Sequence, residues 1–444
     1  MTAREVALAV LRDVFPSRGS SQRGAHESFD YRVSRSGLDA RDRAFAAELA
    51  YGSIRFRRYL DWLLAPYVGE RAASLPPTIL EILRLGAYQL AKMSVEPHAA
   101  VGETVGLAKR HGHRGTAGLV NAVLRRVAVR DERTPRREEF ESDDDFLGTL
   151  HSFPTWIVTL VRRVFGSETI EAILSGMNGP AQLALRINPS RSNENDAIEA
   201  LTSRGITVTR SQLVAEIVIV NDSPQGASLD DSEQRWDVQG EIAAVPVDVL
   251  DPRPGENGIE FCSGRGNKTL QIVGRMRGDG ALESVETDHA RLERQRERLQ
   301  RLGYGNVALR EGDATTLGGT EDASFALVDA PCSGLGILGR HPEARWRKDP
   351  GDPSRLAPLQ ASLLAAAARR VRSDGRVVYS VCSFAPEETQ ERVDAFLGEH
   401  PDFARGSIPE RYRPWQLASG DLRFPPGIER RDGFFVALLE RRRR

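Results

Sequence analysis

Two of the three cysteines in this 444-residue chain stand in matched settings. Asp329-Ala330-Pro331-Cys332-Ser333-Gly334 and Tyr379-Ser380-Val381-Cys382-Ser383 each put a thiol just past a short apolar run, 50 residues apart. A free cysteine in an apolar setting is most often a small filler. Two of them at corresponding strand ends, one preceded by an acid, suit covalent catalysis better. A thiolate adding to one carbon of an electron-poor ring makes the neighbouring carbon nucleophilic, so one difficult substitution becomes easier steps. The thiol must later be eliminated, so an acid and a base are needed. Asp329 is placed to hold or deliver a proton on such a ring.

Further unusual residues stand at the ends of neighbouring apolar runs. Cys262-Ser263-Gly264-Arg265-Gly266-Asn267-Lys268-Thr269 follows GIEF and opens a helical pattern. Its glycines allow close backbone approach, and the helix start offers free N–H groups to a ligand. Glu286 ends the next run, where an acid accepts hydrogen bonds from ribose hydroxyls, and Gly312-Asp313 ends the third. Taken alone, a G-x-G pair is equally an ordinary strand–helix turn. Lys268-Thr269 resembles the end of a nucleotide phosphate loop, but Phe261 stands where that loop needs its first glycine, which disfavours a nucleoside triphosphatase.

The elements that must position these residues follow from periodicity. From Asp237 on, strands (GIEFC, ALESVE, NVALREGD, SFALVDAP, GRVVYSVCS, FFVALLE) alternate with helical patterns, among them HARLERQRERLQRLG and SRLAPLQASLLAAAARRV. That order predicts a mostly parallel, doubly wound α/β domain over 237–444. Residues 146–236, with LALRINPS and AEIVIVND as strands between helices, predict a small α+β domain. Residues 1–130 carry apolar positions at i, i+3, i+4 in REVALAVLRDVF, RDRAFAAELAYGSIRFRRYLDWLLAPYV, PPTILEILRLGAYQLAKM and TAGLVNAVLRRVAV, an all-α unit. The acidic stretch 131–145 reads as a linker. The chain is therefore expected to be multidomain.

Net charge is −1, yet residues 1–130 hold 20 Lys and Arg against 12 Asp and Glu. A basic helical unit suits a polyanionic partner. Cysteines without C-x-x-C spacing and histidines without an H-x-x-x-H pattern argue against a metal, and so few thiols imply a reducing, cytoplasmic compartment. No apolar run approaches 18 residues, so no membrane span is expected, and charges within the N-terminal apolar stretch argue against a signal peptide.

From Phe146 to the C-terminus the chain resembles the RsmB/Sun (Fmu) branch of RNA cytosine-5 methyltransferases. The resemblance rests on LALRINPS, DVQGE, the Cys262–Thr269 loop, LVDAPCSGLGILGRHPEARWRK, LQASLL, GRVVYSVCSFAPEE and RDGFFVALLE. Residues 1–130 resemble the NusB antitermination fold through RDRAFAAELAYGSIR, ILRLGAYQL, PHAAVGETVGLAK and GLVNAVLRR. The pairing implies a bacterial enzyme acting on small-subunit ribosomal RNA with S-adenosylmethionine. By position, the resemblance implies Cys382 as the nucleophile and Cys332 as the cysteine that assists product release. Cys262, Ser263, Gly264, Arg265, Gly266, Asn267 and Lys268 would form the cofactor loop, with Glu286, Asp313 and Asp329 as further cofactor or base contacts. Four departures stand out: Glu260 and Glu286 where the family has Asp, Gly264-Arg265-Gly266-Asn267 for Ala-Pro-Gly-Gly, and Val381 for Thr.

Arg340, His341, Arg345, Arg347 and Lys348, with Trp346 among them, read as phosphate and base contacts beside the active site. Arg55, Arg57, Arg58, Arg125 and Arg126 form a second basic set, close to ordinary surface charge, and the terminal RRRR is a third. Two rivals to a ribosomal RNA enzyme stay open: a catalytically degenerate RNA-binding or ribosome-assembly protein, and the same chemistry on another RNA such as transfer RNA. A DNA cytosine-5 methyltransferase fits least, because the resemblance gives those enzymes only the Pro-Cys cysteine. Cysteine attack from above the ring favours an unpaired or loop cytosine.

Overall fold

The computed structural model describes residues 1–16, 22–130, 133–224 and 227–443. It divides into two compact units, Met1–Asn178 with Arg340–Lys348, and Gly179–Gly339 with Asp349–Arg444.

The first unit is helical. Helices Ala3–Val14, Ala25–Val33, Ala40–Arg55, Arg57–Val68, Pro77–Lys92, Pro97–His111 and Arg114–Ala128 enclose an aliphatic core that includes Val6, Leu49, Leu60, Ile82, Leu83 and Val120. Proline opens the helices at Pro77 and Pro97, where its missing N–H would have had no partner anyway. Thr2 and Glu5 form a reciprocal capping box on the first helix. The helical pattern over RDRAFAAELAYGSIRFRRYLDWLLAPYV divides into two helices at Phe56.

The stretch expected to be a solvated acidic linker is built into this unit, apart from residues 131–132, which lie outside the described residues. Arg133 donates to the carbonyls of Leu90 and Ala128 at 2.5 and 2.7 Å, and Tyr59 Oη donates to Arg133 O at 2.7 Å. Asp143, Asp144 and Asp145 form the first turn of helix Asp143–Leu150 behind the Ser142 cap, where the helix dipole favours negative charge. Three of these acids thus complement a helix start, while Glu138, Glu139 and Glu141 stay exposed to solvent. Helices Thr155–Phe165 and Ile170–Gly176 complete the unit. They fall within the stretch read as the middle domain, whose strands lie in the second unit.

The second unit contains two sheets among its described residues. The small one is antiparallel in the order β2-β3-β1-β4, from β1 (Leu183–Ile187), β2 (Thr207–Arg210), β3 (Ile217–Asp222) and β4 (Trp236–Val238), with helix Glu194–Thr202 packed on it. The large sheet comprises β5 (Asn257–Phe261), β6 (Ala281–Glu286), β7 (Val307–Glu311), β8 (Ala323–Asp329), β9 (Val371–Val381), β10 (Phe403–Arg405), β11 (Leu422–Phe424) and β12 (Phe434–Arg441). Its order is β10-β12-β9-β8-β5-β6-β7, with β11 beside β12. Strands β5 to β9 are parallel and β10, β11 and β12 antiparallel, so the Rossmann-like sheet is mixed.

β8 shows why the sheet is buried on both faces. Phe325 and Leu327 join one core with Ile242, Val273 and Leu299, while Ala326 and Val328 join another with Leu363, Ala367 and Val393. After β7 the chain returns to lay β8 on the other side of β5. In open α/β sheets that reversal of strand order leaves a crevice at the carboxyl ends of the strands.

Candidate active site

The loop after β5 enters left-handed conformations at Cys262, Gly264 and Gly266, with φ of 60°, 58° and 79°. Gly266 starts helix Asn267–Arg275, and a Cβ there would lie 2.6 Å from Gln295 Cγ, so only glycine fits. Beneath the loop, Thr269 donates to the buried Glu260 at 2.5 Å and accepts from Gln295 at 2.7 Å. Burial pushes the Glu260 carboxyl up to about 7. The Glu at this position therefore supports the loop from below. Arg265 is exposed, and its carbonyl is braced by Arg298 at 2.7 Å. The bulk of arginine at that position thus stays outside the loop.

Glu286, at the end of β6, faces this loop. Its Oε2 accepts from Gly264 N at 2.8 Å and its Oε1 from the backbone of Thr287 and Asp288 at 3.0 and 3.1 Å. Asp313 follows β7, with its carboxyl held low by hydrogen bonds from Thr315. Cys262, Val285, Glu286, Asp313, Pro331 and Leu363 are among the residues lining a cavity of about 460 Å³. That lies within the ~300–1,000 Å³ usual for small-molecule sites. It combines an apolar wall with carboxylates, and the buried Ser263 Oγ of the loop has no hydrogen-bond partner. These features fit a nucleoside with a polar ribose and an apolar base face.

Asp329 ends β8 beside the same cavity. Lys268 Nζ lies 2.5 Å from its Oδ2, and Ser380 Oγ donates to its Oδ1 at 2.8 Å. Cys332 and Cys382, past the ends of β8 and β9, are free and partly exposed, with their Sγ atoms 3.2 Å apart. The hydrogen bond to Cys382 and burial raise the Cys332 thiol well above the usual range. Cys262 is pushed up to about 12 by burial and by Glu286 and Asp329, which makes it a poor nucleophile. The backbone N–H of Gly336 donates to Cys382 O at 3.0 Å, and Gly433 N donates to Gly336 O at 2.8 Å. A Cβ on Gly336 would meet Gly433 O at 2.0 Å, so this glycine lets the Cys332 loop pass close to β12.

Family models match the whole arrangement in sequence. The 16S rRNA methyltransferase RsmB/F model matches residues 247–440, the NusB family model 1–129, and the ferredoxin-like domain of RsmF/B-like methyltransferases 153–225. The probable ribosomal RNA small subunit methyltransferase B of Synechocystis is 32% identical, covering 99% of this chain and 100% of its own. The Thermus thermophilus ribosomal RNA small subunit methyltransferase B is 34% identical, with 99% and 98% covered. The chain belongs to the RsmB/F family. The crystal structure of PH0851 shares the fold with TM-score 0.79 at 24% identity, over 99% of both chains.

In this RsmB/F chain Arg345, Trp346 and Arg347 of the basic run after the Cys332 loop turn into the protein. Residues 340–348 pack within the helical unit. Arg345 is 0% exposed, stacks on Phe153 at 3.8 Å, and donates to Asn178 Oδ1 and Met177 O at 2.7 and 2.9 Å. Trp346 donates to Ile54 O at 2.7 Å and Arg347 to Val14 O at 2.8 Å. These side chains satisfy helix-end and loop carbonyls, so the reading of them as phosphate and base contacts is corrected. Arg57 pairs with Glu81 at 2.9 Å, and Arg58 bonds Thr149, Phe153, Thr155 and Asp145, which makes both structural. Arg125 and Arg126 are exposed. At the other end of the chain, Arg441 is paired with Asp402 at 2.8 Å, and Arg444 lies outside the described residues.

Four residues at the site carried no signal of their own in the sequence: Thr287, Ser380, Leu363 and Glu388. Ser380 and Glu388 do lie inside the GRVVYSVCSFAPEE stretch and Leu363 inside LQASLL, and the nearness of the first two to Cys382 was the available clue.

Proposed function

We propose that this RsmB/F protein transfers a methyl group from S-adenosylmethionine to carbon 5 of a cytosine in small-subunit ribosomal RNA, with Cys382 as the nucleophile. The observation that carries the reading is the pair of free thiols 3.2 Å apart beside Asp329. A pure RNA binder has no use for two adjacent thiols and a lysine-paired acid. The relatives' activity on small-subunit ribosomal RNA supports the choice of substrate.

The cavity formed by Cys262, Glu286, Asp313 and Leu363 fits the nucleoside part of the methyl donor, and the loop from Cys262 to Lys268 would close around its amino-acid end. When bound, that cofactor supplies an electrophilic methyl group. Cys382 as thiolate adds to carbon 6 of the cytosine, and the electron pair displaced from the double bond makes carbon 5 nucleophilic. Asp329, with a lysine on one oxygen and a serine hydroxyl on the other, is placed to exchange a proton at N3 as the ring gains and loses negative charge. Once carbon 5 is methylated, its proton passes to a base and the carbon 6–sulfur bond breaks. Cys332, whose thiol stays protonated and already hydrogen-bonds to Cys382, can return a proton to the departing sulfur. The target cytosine has to be unstacked for this approach, so an unpaired or loop residue is the proposed substrate.

Incubating the purified protein with labelled S-adenosylmethionine and small-subunit ribosomal RNA, followed by nucleoside mass spectrometry, tests the reading. Labelled 5-methylcytidine is expected. Label on another nucleoside would overturn the cytosine assignment. No label, together with tight RNA binding, would favour a ribosome-assembly role.

A further inference from the structure

Both cysteines are followed by serine, and the structure stacks the two Cys-Ser pairs as rungs. The thiols lie 3.2 Å apart and the hydroxyls of Ser333 and Ser383 3.0 Å apart. The hydroxyl rung is anchored by Glu388, which is 0% exposed. Its Oε1 accepts from Ser333 N at 2.7 Å and Gln360 Nε2 at 3.0 Å, and its Oε2 accepts from the Ser333 hydroxyl. Ser333 has one hydroxyl proton and gives it to Glu388, so the Ser333 oxygen is the acceptor for Ser383. Gln360 also donates to Pro331 O at 2.9 Å, and Tyr379 Oη donates to the Glu388 carbonyl at 2.7 Å. One carboxylate thus ties together the loop after β8, the loop after β9 and helix Asp352–Arg370.

A buried carboxylate is expensive unless its bonds are needed, and an apolar side chain would fill the same space without that penalty. Two of the three carboxylate bonds come from Ser333, next to Cys332, and the Ser333 hydroxyl carries the link on to Ser383, next to Cys382. We propose that Glu388 is a positioning residue that sets the separation of the Cys332 and Cys382 thiols through the paired serines. The relevance of that separation rests on the cysteine mechanism proposed above, but the separation itself is measurable without RNA.

The test uses the full-length reduced protein and diamide. Diamide takes one hydrogen from each thiol and is reduced to its hydrazine, leaving a Cys332–Cys382 disulfide that peptide mass spectrometry quantifies. Glu388→Ala is expected to slow disulfide closure about tenfold, because a small misplacement of two reacting atoms is costly. Ser333→Ala should slow it by less. Glu388→Gln should recover most of the wild-type rate: its oxygen can keep Ser333 N and Gln360, while its amide donates to a Ser333 hydroxyl turned toward Ser383. Glu388→Ala and Ser333→Ala should also lower kcat for methylation with little change in KM for RNA, and Glu388→Gln should restore most of it. Wild-type closure in a folded Glu388→Ala protein would overturn the proposal. If Glu388→Ala does not fold, wild-type closure in Ser333→Ala would overturn it instead. Slowed closure in a protein that never methylates RNA would uphold the positioning and refute the cytosine reading alone.

Discussion

Lys268 Nζ lies 2.5 Å from Asp329 Oδ2, and the two residues come from opposite sides of the strand-order reversal. Lys268 opens the helix after β5 and Asp329 ends β8, so the ion pair bridges the loop after β5 and the loop that carries Cys332. Lys268→Met removes the counter-charge beside Asp329, the residue proposed to exchange a proton with the base. Single-turnover methyl transfer should fall about 10²-fold, the scale of a lost general acid or base. The melting temperature should fall only modestly, because Asp329 is partly exposed and keeps its bond from Ser380. Rapid-quench kinetics check this, and a rate within twofold of wild type would separate the pair from the chemistry.

The two cysteines should fail differently. Cys382→Ala removes the sulfur proposed to attack, so neither product nor a covalent RNA complex should form. Cys332→Ala keeps the attack but loses the proton donor 3.2 Å from the departing sulfur, so a covalent complex should accumulate. A denaturing gel with labelled RNA and S-adenosylmethionine reads both, through a slow, protease-sensitive band present only for Cys332→Ala. The opposite pattern would exchange the roles.

Gly266→Ala tests the cofactor loop. At φ 79° a side chain costs about 1–2 kcal/mol of backbone strain, and Gln295 Cγ lies only 2.6 Å from the new Cβ. The variant should melt lower and bind S-adenosylmethionine at least tenfold more weakly by calorimetry. Unchanged binding would move the cofactor away from this loop.

What could be read from the sequence tracks the range of the forces involved. The strand ends bearing Asp329, Cys332 and Cys382 were legible because apolar runs mark the strands and strand ends mark the crevice. The fate of Arg345 was not. Charged residues default to the surface, and the acceptors that bury it are contributed from around residues 152–178, distant in sequence. Glu260 was visible only as a departure from the family's Asp, while its burial under Thr269 and Gln295 depends on packing across β5 and helix His289–Leu302. FFVALLE read correctly as a strand, but its antiparallel seat between β9 and β10 is set by tertiary pairing that a local pattern does not encode.

Glu260 gives a pH signature. Its folded-state value of about 7 exceeds the ordinary 4.5, because burial disfavours the charged form. Between those two values the unfolded chain has released the proton while the folded chain keeps it. The folded state then binds more protons, so stability falls as pH rises through this window. Glu260→Gln, neutral throughout, lacks that fall. Its melting temperature relative to wild type should climb from pH 4.5 to about 7 and level off above. A difference that stays flat across the window would show that Glu260 is ionised under the loop.

Testing whether the helical unit holds RNA needs variants that change charge without unfolding it. Removing residues 1–145 is a poor test, because Trp346 and Arg347 would lose their acceptors Ile54 and Val14. Arg58→Ala is equally unsuitable: the guanidinium satisfies Thr149, Phe153 and Thr155, and leaving such groups unpaired costs about 1–3 kcal/mol each where they are buried. Arg125 and Arg126 are exposed on the last turn of helix Arg114–Ala128, so their charge can be reversed at little structural cost. If this face meets the phosphate backbone, Arg125→Glu with Arg126→Glu should weaken RNA binding and flatten its salt dependence by roughly 0.7–0.9 in log–log slope per lost phosphate contact. The melting temperature and S-adenosylmethionine affinity should stay as in the wild type. RNA titrations at several salt concentrations check this, and an unchanged slope would assign RNA contact to another face of the protein.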